Sequence, residues 1–449
     1  MDVVMVASEV APYLRRSPAA LPIGELAKAL RQLGHDVNLV VPRHPAFESA
    51  GLLLARRITP LPVAGGGEAM PYDAQLASGV VLTLLGGGLL DDRERADRPE
   101  DEAERAVCFG RAVAALVRER ASSGRDPGVV HAHGWQGARA LLALSEVGDR
   151  SPRVLSLHDD RLGADAAGRE AVVRGSARAD VVTFASAGLE RSLAGAGADT
   201  PLAAALAEAE VPSCVVPEGL DFSLYNPATD PGLVARFDAE DAAGKGRGKA
   251  ALLRELGLEL ELDRPLCVAV LEGGASDGAA LVLEAAERLL RHDLTLVVCS
   301  AGELPASDAF AKAQSRHAHE LARVARASDE QLRRAMAAAD FALLSPLAAP
   351  AARPLLVAQR YGAVPIVHGV GALAEGVVDC DVALETGTGF VFEAPTAQAL
   401  LGAVARARAA CATPAWGRLR RRVMRQDCSW DRPARRMLQL YQSAAGDAA

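Results

Sequence analysis

The first 44 residues, MDVVMVASEVAPYLRRSPAALPIGELAKALRQLGHDVNLVVPRH, constrain the fold more than any other stretch. Residues 3–7 form an apolar run of the kind a buried strand requires. After a loop, Ile23, Leu26, Leu30 and Leu33 recur at helical spacing, and Gly34 follows as a C-terminal cap. Residues 37–41 are a second apolar run. Strand, loop, helix and strand make a βαβ unit. In open α/β sheets the loop after the first strand is where ligands sit, because it opens onto a helix N-terminus.

The same pattern recurs further on. Residues 265–271 read as a strand, residues 281–290 as an amphipathic helix and residues 294–299 as another strand, so the chain has two similar halves. With 449 residues it is long enough for two domains with well-buried cores. The expected division is an N-terminal domain over 1–230, a linker over 231–262, a second domain over 263–427 and a closing helix and tail over 428–449. Residues 51–91 read as strands and turns around Gly65-Gly66-Gly67 and Gly86-Gly87-Gly88. Those glycines lack a following helix and read as turns rather than phosphate loops. Gly244-Lys245-Gly246-Arg247-Gly248-Lys249 follows no strand and lacks Walker spacing, so it reads as a flexible basic turn before a helix over 250–256.

Charge and cysteine content exclude several classes. A net charge of −8 argues against a nucleic-acid partner, which calls for a basic face. No apolar run reaches membrane-spanning length, and no secretory leader pattern is visible at the N-terminus, so cytoplasm is the expected location and no membrane partner is expected. Seven cysteines are scattered singly with no C-x-x-C, which fits reduced thiols. His131 and His133 lack a nearby third ligand, so no metal site is expected.

Several segments carry a family resemblance. Ser8-Glu9-Val10-Ala11-Pro12 and Gly34-His35-Asp36-Val37 resemble the N-terminus of bacterial glycogen synthases and plant starch synthases. Residues 128–136, GVVHAHGWQ, resemble that family's D-V-V-H-A-H-D-W-H. Residues 154–159 resemble its strand ending T-I-H-N. Residues 179–186 resemble A-D-x-V-T-x-V-S, and Glu218-Gly219-Leu220-Asp221 with Tyr225-Asn226-Pro227 resembles N-G-I-D-x-x-x-W-N-P. In the C-terminal half, residues 360–367 match R-Y-G-T-V-P-V-V, residues 388–392 match T-G-F-x-F, and residues 427–430 resemble D-F-S-W. The resemblance implies an α/β chain of the GT-B type, with two Rossmann-like domains facing across a cleft and a C-terminal helix returning to the first domain.

The departures fall on the residues the resemblance marks as functional. The donor loop, K-T-G-G-L-G-D-V in the family, is Arg15 to Pro22 here. Ser17 and Pro18 replace the paired glycines and Ala20 replaces the third. Paired glycines let backbone N–H groups approach a diphosphate; Pro18 has no N–H and fixes φ. Arg15 and Arg16 keep positive charge there. In D-N-x-x-R-F, Asp101 and Arg105 match and the Asn and Phe do not. Asp101 reads equally well as a site remnant or as an acidic residue on a helix's first turn. In S-R-L-x-x-Q-K-G, the arginine position holds Glu272 and the lysine position Asp277, leaving Gly278. An ion pair at ~4 Å is worth on the order of 4 kcal/mol at an effective dielectric of about 20, so reversing both signs turns attraction into repulsion. The glutamate of E-P-C-G-L is Ala349, and Arg353 stands nearby as a possible replacement cation.

Two readings follow. In one, no catalytic set is intact: Asp101 and His133 are remnants and the function is lost at Glu272, Asp277 and Ala349. The chain then binds α-glucan or maltooligosaccharide, or regulates an active synthase partner. In the other, it is an active retaining glycosyltransferase using Arg15, Arg16, His133 and Gly278 for substrate, with ADP-glucose or another nucleotide sugar as donor. No cofactor is expected otherwise.

Overall fold

The computed structural model describes residues 1–160, 162–163, 165–195, 198–272, 278–348 and 351–446. The chain divides into two compact units, Met1–Gly219 with Trp430–Ala449, and Leu220–Ser429.

The first unit is built on one twisted sheet of strands β1 (Asp2–Val6), β2 (Asp36–Pro42), β3 (Ala55–Arg56), β4 (Leu61–Pro62), β5 (Glu68–Gln75), β6 (Val81–Gly86), β7 (Val129–His133), β8 (Arg153–Leu157), β9 (Val181–Phe184) and β10 (Ser213–Val215). Their order is β10-β9-β8-β7-β1-β2-β6-β5-β3, with β4 pairing β5. The strands from β10 to β6 run parallel, and β3, β4 and β5 join antiparallel. A sheet buried on both faces needs continuous apolar strands, and Val3, Val4, Met5 and Val6 are all fully buried. Strand order reverses at β1, between β2 and β7. The loops leaving β1 and β7 therefore open a crevice at the carboxyl edge, the usual ligand position in such sheets.

The second unit has six parallel strands: β11 (Leu266–Leu271), β12 (Thr295–Ser300), β13 (Leu321–Val324), β14 (Phe341–Leu344), β15 (Val364–His368) and β16 (Phe390–Phe392), ordered β13-β12-β11-β14-β15-β16. Cys267, Ala269 and Leu271 of β11 pack into one hydrophobic core, and Leu266, Val268 and Val270 into a second. That alternation is what a central strand does when helices cover both faces.

The Gly65-Gly66-Gly67 run is a turn between β4 and β5, with φ of +88°, +105° and +85° that favour glycine. The seven cysteines are free thiols. No helix among the described residues is long and apolar enough to cross a membrane.

Two expectations need correction. First, residues 231–262 are not a linker but part of the second unit, and the chain leaves the first unit after Gly219 rather than near residue 230. The cause is side-chain anchorage. Arg360 donates to Tyr225 O at 3.2 Å and to Asn226 Oδ1 at 3.0 Å. Arg333 and the Tyr361 hydroxyl both donate to Asp230 Oδ2, at 2.9 and 2.5 Å. Second, the Gly-Lys-Gly-Arg-Gly-Lys segment is no flexible turn; it lies inside the helix Ala243–Glu255. Lys245 is buried and donates to the carbonyls of Met336, Ala337 and Tyr361, which end the helices Asp329–Ala338 and Arg353–Arg360. Lys249 bonds Asp340 Oδ2 at 2.9 Å and the carbonyls of Leu262 and Arg264. Both lysines neutralise carbonyls that helix ends and loop leave unsatisfied. Burial pulls the Lys245 ammonium down to about 7.

Candidate functional site

A cavity of about 700 Å³ opens at the carboxyl edge of the first sheet, at its switch point. Three strand ends build it: Ser8 and Glu9 after β1, His133 to Gln136 at and after β7, and Leu157 to Asp160 at and after β8. Arg16, Ser17, Asp97, Arg98, Glu102, Arg105 and Arg169 are among the other residues of the wall.

The loop after β1 is folded onto its own carboxylate. Glu9 is only 4% exposed and accepts the Arg16 N–H at 2.5 Å, the Ser17 N–H at 3.0 Å and the Ser17 hydroxyl. Burial pushes the Glu9 carboxyl up, and the Ser17 and Arg16 hydrogen bonds oppose that rise. The two backbone N–H groups thus point at an internal anion. Neither Ser17, Pro18 nor Ala20 has positive φ; Ala20 simply opens the helix Ala20–Gln32. The Arg16 guanidinium reaches Ala96 O at 2.9 Å and Asp97 Oδ1 at 2.5 Å, and His44 Nε2 lies 3.1 Å from the same Asp97 atom. Arg15 is exposed and lies outside the cavity wall.

Asp101 is also engaged. It is buried and takes a two-pronged ion pair from Arg95, whose hydrogen bonds hold the carboxyl below its ordinary range. It does not line the cavity; Glu102, on the helix Glu102–Ser122, does. Glu102 accepts from Gln136 Nε2 at 3.0 Å. These two residues stand where the family pattern has asparagine and histidine, so the two departures are bonded to each other in the cavity wall. Gly134, where the pattern has aspartate, begins the helix Gly134–Glu146 at φ +64°.

The strand-end histidines do different work. His131 is fully buried, with Nδ1 2.6 Å from the Tyr441 hydroxyl and Nε2 2.6 Å from Ser156 Oγ. His133 lines the cavity. Its Nδ1 lies 3.0 Å from His158 Nε2, and His158 Nδ1 lies 3.1 Å from Glu218 Oε1. The His133 Nε2 atom is buried and lacks a hydrogen-bond partner among the described residues. Sequence reasoning did not assign His158 or Glu218 to the site. The visible signal was that each sits at a strand-end motif, but their contact joins residues 60 positions apart.

In the second unit, Glu272 is exposed just past β11, while Asp277 and Ala349 lie outside the described residues. Gly278 caps the helix Ala279–Leu290 at φ +70°, and a Cβ there would lie 1.8 Å from Ser345 O. Its glycine is required by that close approach. Arg353 is buried at the start of the helix Arg353–Arg360, its guanidinium 5.3 Å from the Tyr225 ring centre. Among the described residues no group of three His, Cys, Asp or Glu side chains could hold a metal ion.

Comparison with known proteins supplies the lineage. A glycogen synthase of Anaeromyxobacter dehalogenans is 32% identical, with 99% of this chain and 100% of that protein covered. The chain belongs to the glycogen synthase family. A glycogen synthase of Syntrophotalea carbinolica is 30% identical over 99% of both chains, and residues 2–172 match the starch synthase catalytic domain. Among solved structures, the catalytic domain of starch synthase IV from Arabidopsis thaliana superposes with a TM-score of 0.83 at 22% identity, covering 99% of each chain. A sucrose-phosphate synthase from Thermosynechococcus elongatus gives 0.63 at 16% identity, again with 99% of each chain covered. The fold is therefore GT-B, and the chain is a glycogen synthase-like glycosyltransferase of α-glucan metabolism by family.

Proposed function

We propose that this glycogen synthase relative binds α-glucan, or regulates a partner that elongates it, and does not itself transfer glucose. The observation that carries this reading is the loop after β1, where Pro18 has no N–H to offer, Ser17 and Ala20 lack the positive φ of glycines, and the N–H groups of Arg16 and Ser17 are held by the Glu9 carboxylate. A diphosphate would have to displace an internal anion to reach them. Charge in the second half supports the same reading, with Glu272 and Asp277 where the family pattern carries arginine and lysine. Electrostatic stabilisation of the leaving group is commonly the largest catalytic contribution, so losing both cations weighs more than losing a positioning residue.

The test is incubation with radiolabelled ADP-glucose, and separately UDP-glucose, in the presence of glycogen, alongside calorimetric titration with maltoheptaose. The expected outcome is binding of the oligosaccharide with no incorporation of label. Incorporation above background would overturn the proposal. It would favour the alternative of an active retaining transferase, which has in its support the end-to-end likeness to proteins named glycogen synthase.

A further inference from the structure

A buried chain of three titratable side chains runs from Glu218, behind the cavity, through His158 to His133 in the cavity wall. Its direction follows from elementary hydrogen-bond chemistry. Glu218 and His158 have side chains only 7% and 12% exposed. An ionised carboxylate has no proton to donate, so His158 Nδ1 must carry the N–H of the 3.1 Å contact. In a neutral imidazole the other nitrogen is then bare, so His158 Nε2 accepts from His133 Nδ1–H across 3.0 Å. The same rule leaves His133 Nε2 bare. That is the one ring nitrogen of the three histidines here with no partner among the described residues. A buried bare acceptor is cheaper to leave unpaired than a buried N–H, so the end of the chain agrees with its beginning.

We infer that Glu218 and His158 are positioning residues that fix His133 as a hydrogen-bond acceptor in the cavity wall, matching it to a hydroxyl donor of a neutral polyhydroxyl ligand rather than to an anion. His131 stays outside the chain, since Tyr441 and Ser156 hold both of its nitrogens. Glu218 stands where the family pattern has asparagine, and an amide can donate as well as accept. Only the carboxylate sets the direction of both imidazoles by itself. The ligand class rests on the glucan-binding reading; the relay does not.

The experiment uses the full chain labelled with ¹⁵N-histidine at pH 8, above the ordinary imidazole value. Two-bond ¹H–¹⁵N correlation separates protonated from bare ring nitrogens, and His133→Asn assigns the signals. The expected spectrum has a bare Nε2 and a protonated Nδ1 on His133. In Glu218→Gln the amide can donate to His158, and the His133 signal should move to the opposite or a mixed tautomer; Glu218→Asp should restore it. Maltoheptaose affinity should fall about tenfold in Glu218→Gln, the loss of roughly one good hydrogen bond. A protonated His133 Nε2 in the native chain, or an unchanged tautomer in Glu218→Gln, would overturn the relay. The native spectrum alone is decisive if the variant fails to fold. If maltoheptaose does not bind the native protein, the glucan reading falls while the tautomer still decides the relay.

Discussion

Gly278 illustrates how a single residue can be kept for reasons that a binding motif obscures. Its position in the family pattern suggests a substrate contact. Its conformation shows a packing demand, with φ at +70° and the Ser345 carbonyl where a Cβ would go. Gly278→Ala should therefore destabilise the protein by about 3 kcal/mol or more, from left-handed strain and the forced shift of a strand-end backbone. Urea unfolding of the purified variant checks this, and a loss under about 1 kcal/mol would mean that the loop relaxes easily. Asp101 makes the complementary point. It matches the family pattern in sequence, yet Arg95 holds both of its oxygens and it does not line the cavity.

At the scale of elements, the segment from Leu220 to Asp230 shows why local reading misplaced a boundary. Tyr225, Asn226 and Asp230 precede the second sheet by many residues, but their partners Arg333, Arg360 and Tyr361 come from helices and a helix end deep in that unit. The Asp230 side chain is 1% exposed, and it faces both a guanidinium and a phenol. Removing one member of a buried pair strands the other. Asp230→Ala should cost roughly 3–5 kcal/mol, seen as a marked drop in melting temperature. A near-neutral substitution would show that Arg333 finds water instead.

Over the whole molecule, the tail matters most. Trp430, Ala434, Met437 and Tyr441 pack into the same core as Val3 and Met5, and Trp430 Nε1 donates to Glu25 Oε2 at 2.8 Å. The Tyr441 hydroxyl meets His131, 310 positions earlier in sequence. Burial pulls the His131 imidazole down to about 3, and burial with the neighbouring histidines pulls His133 well below its ordinary 6.5. His131 stays neutral in the folded chain at pH 5, whereas the unfolded chain protonates it below about 6.5. The unfolded state then binds more protons, so stability is full above that value and falls as pH drops. The expected contribution of His131 to the slope is about 1.4 kcal/mol per pH unit, and His133, shifted the same way, adds to it. Denaturant unfolding between pH 7.5 and 5 should show that loss, and His131→Gln should shrink the slope by about one proton's share. An unchanged slope in the variant would place the proton uptake elsewhere.

The fold class and the family were legible because they rest on local facts: apolar strand runs, helical spacing, glycines at strand ends and ordered short motifs. Each is set by chemistry within a few residues of the chain, so the two βαβ halves could be read directly. The charge reversal at Glu272 and Asp277 is likewise a statement about composition at known places. What tertiary structure decided is where donors and acceptors meet. The lysines of residues 244–249 look like a mobile basic turn until the carbonyls of Met336, Ala337 and Tyr361 come within reach. Glu9 looks like a motif letter until its own loop folds two N–H groups onto it. Glu218, His158 and His133 become one hydrogen-bonded chain only because parallel strands bring their ends to one edge of a sheet. Hydrogen bonds act over about 3 Å and carry no record in sequence spacing, so such pairings come from the folded chain alone.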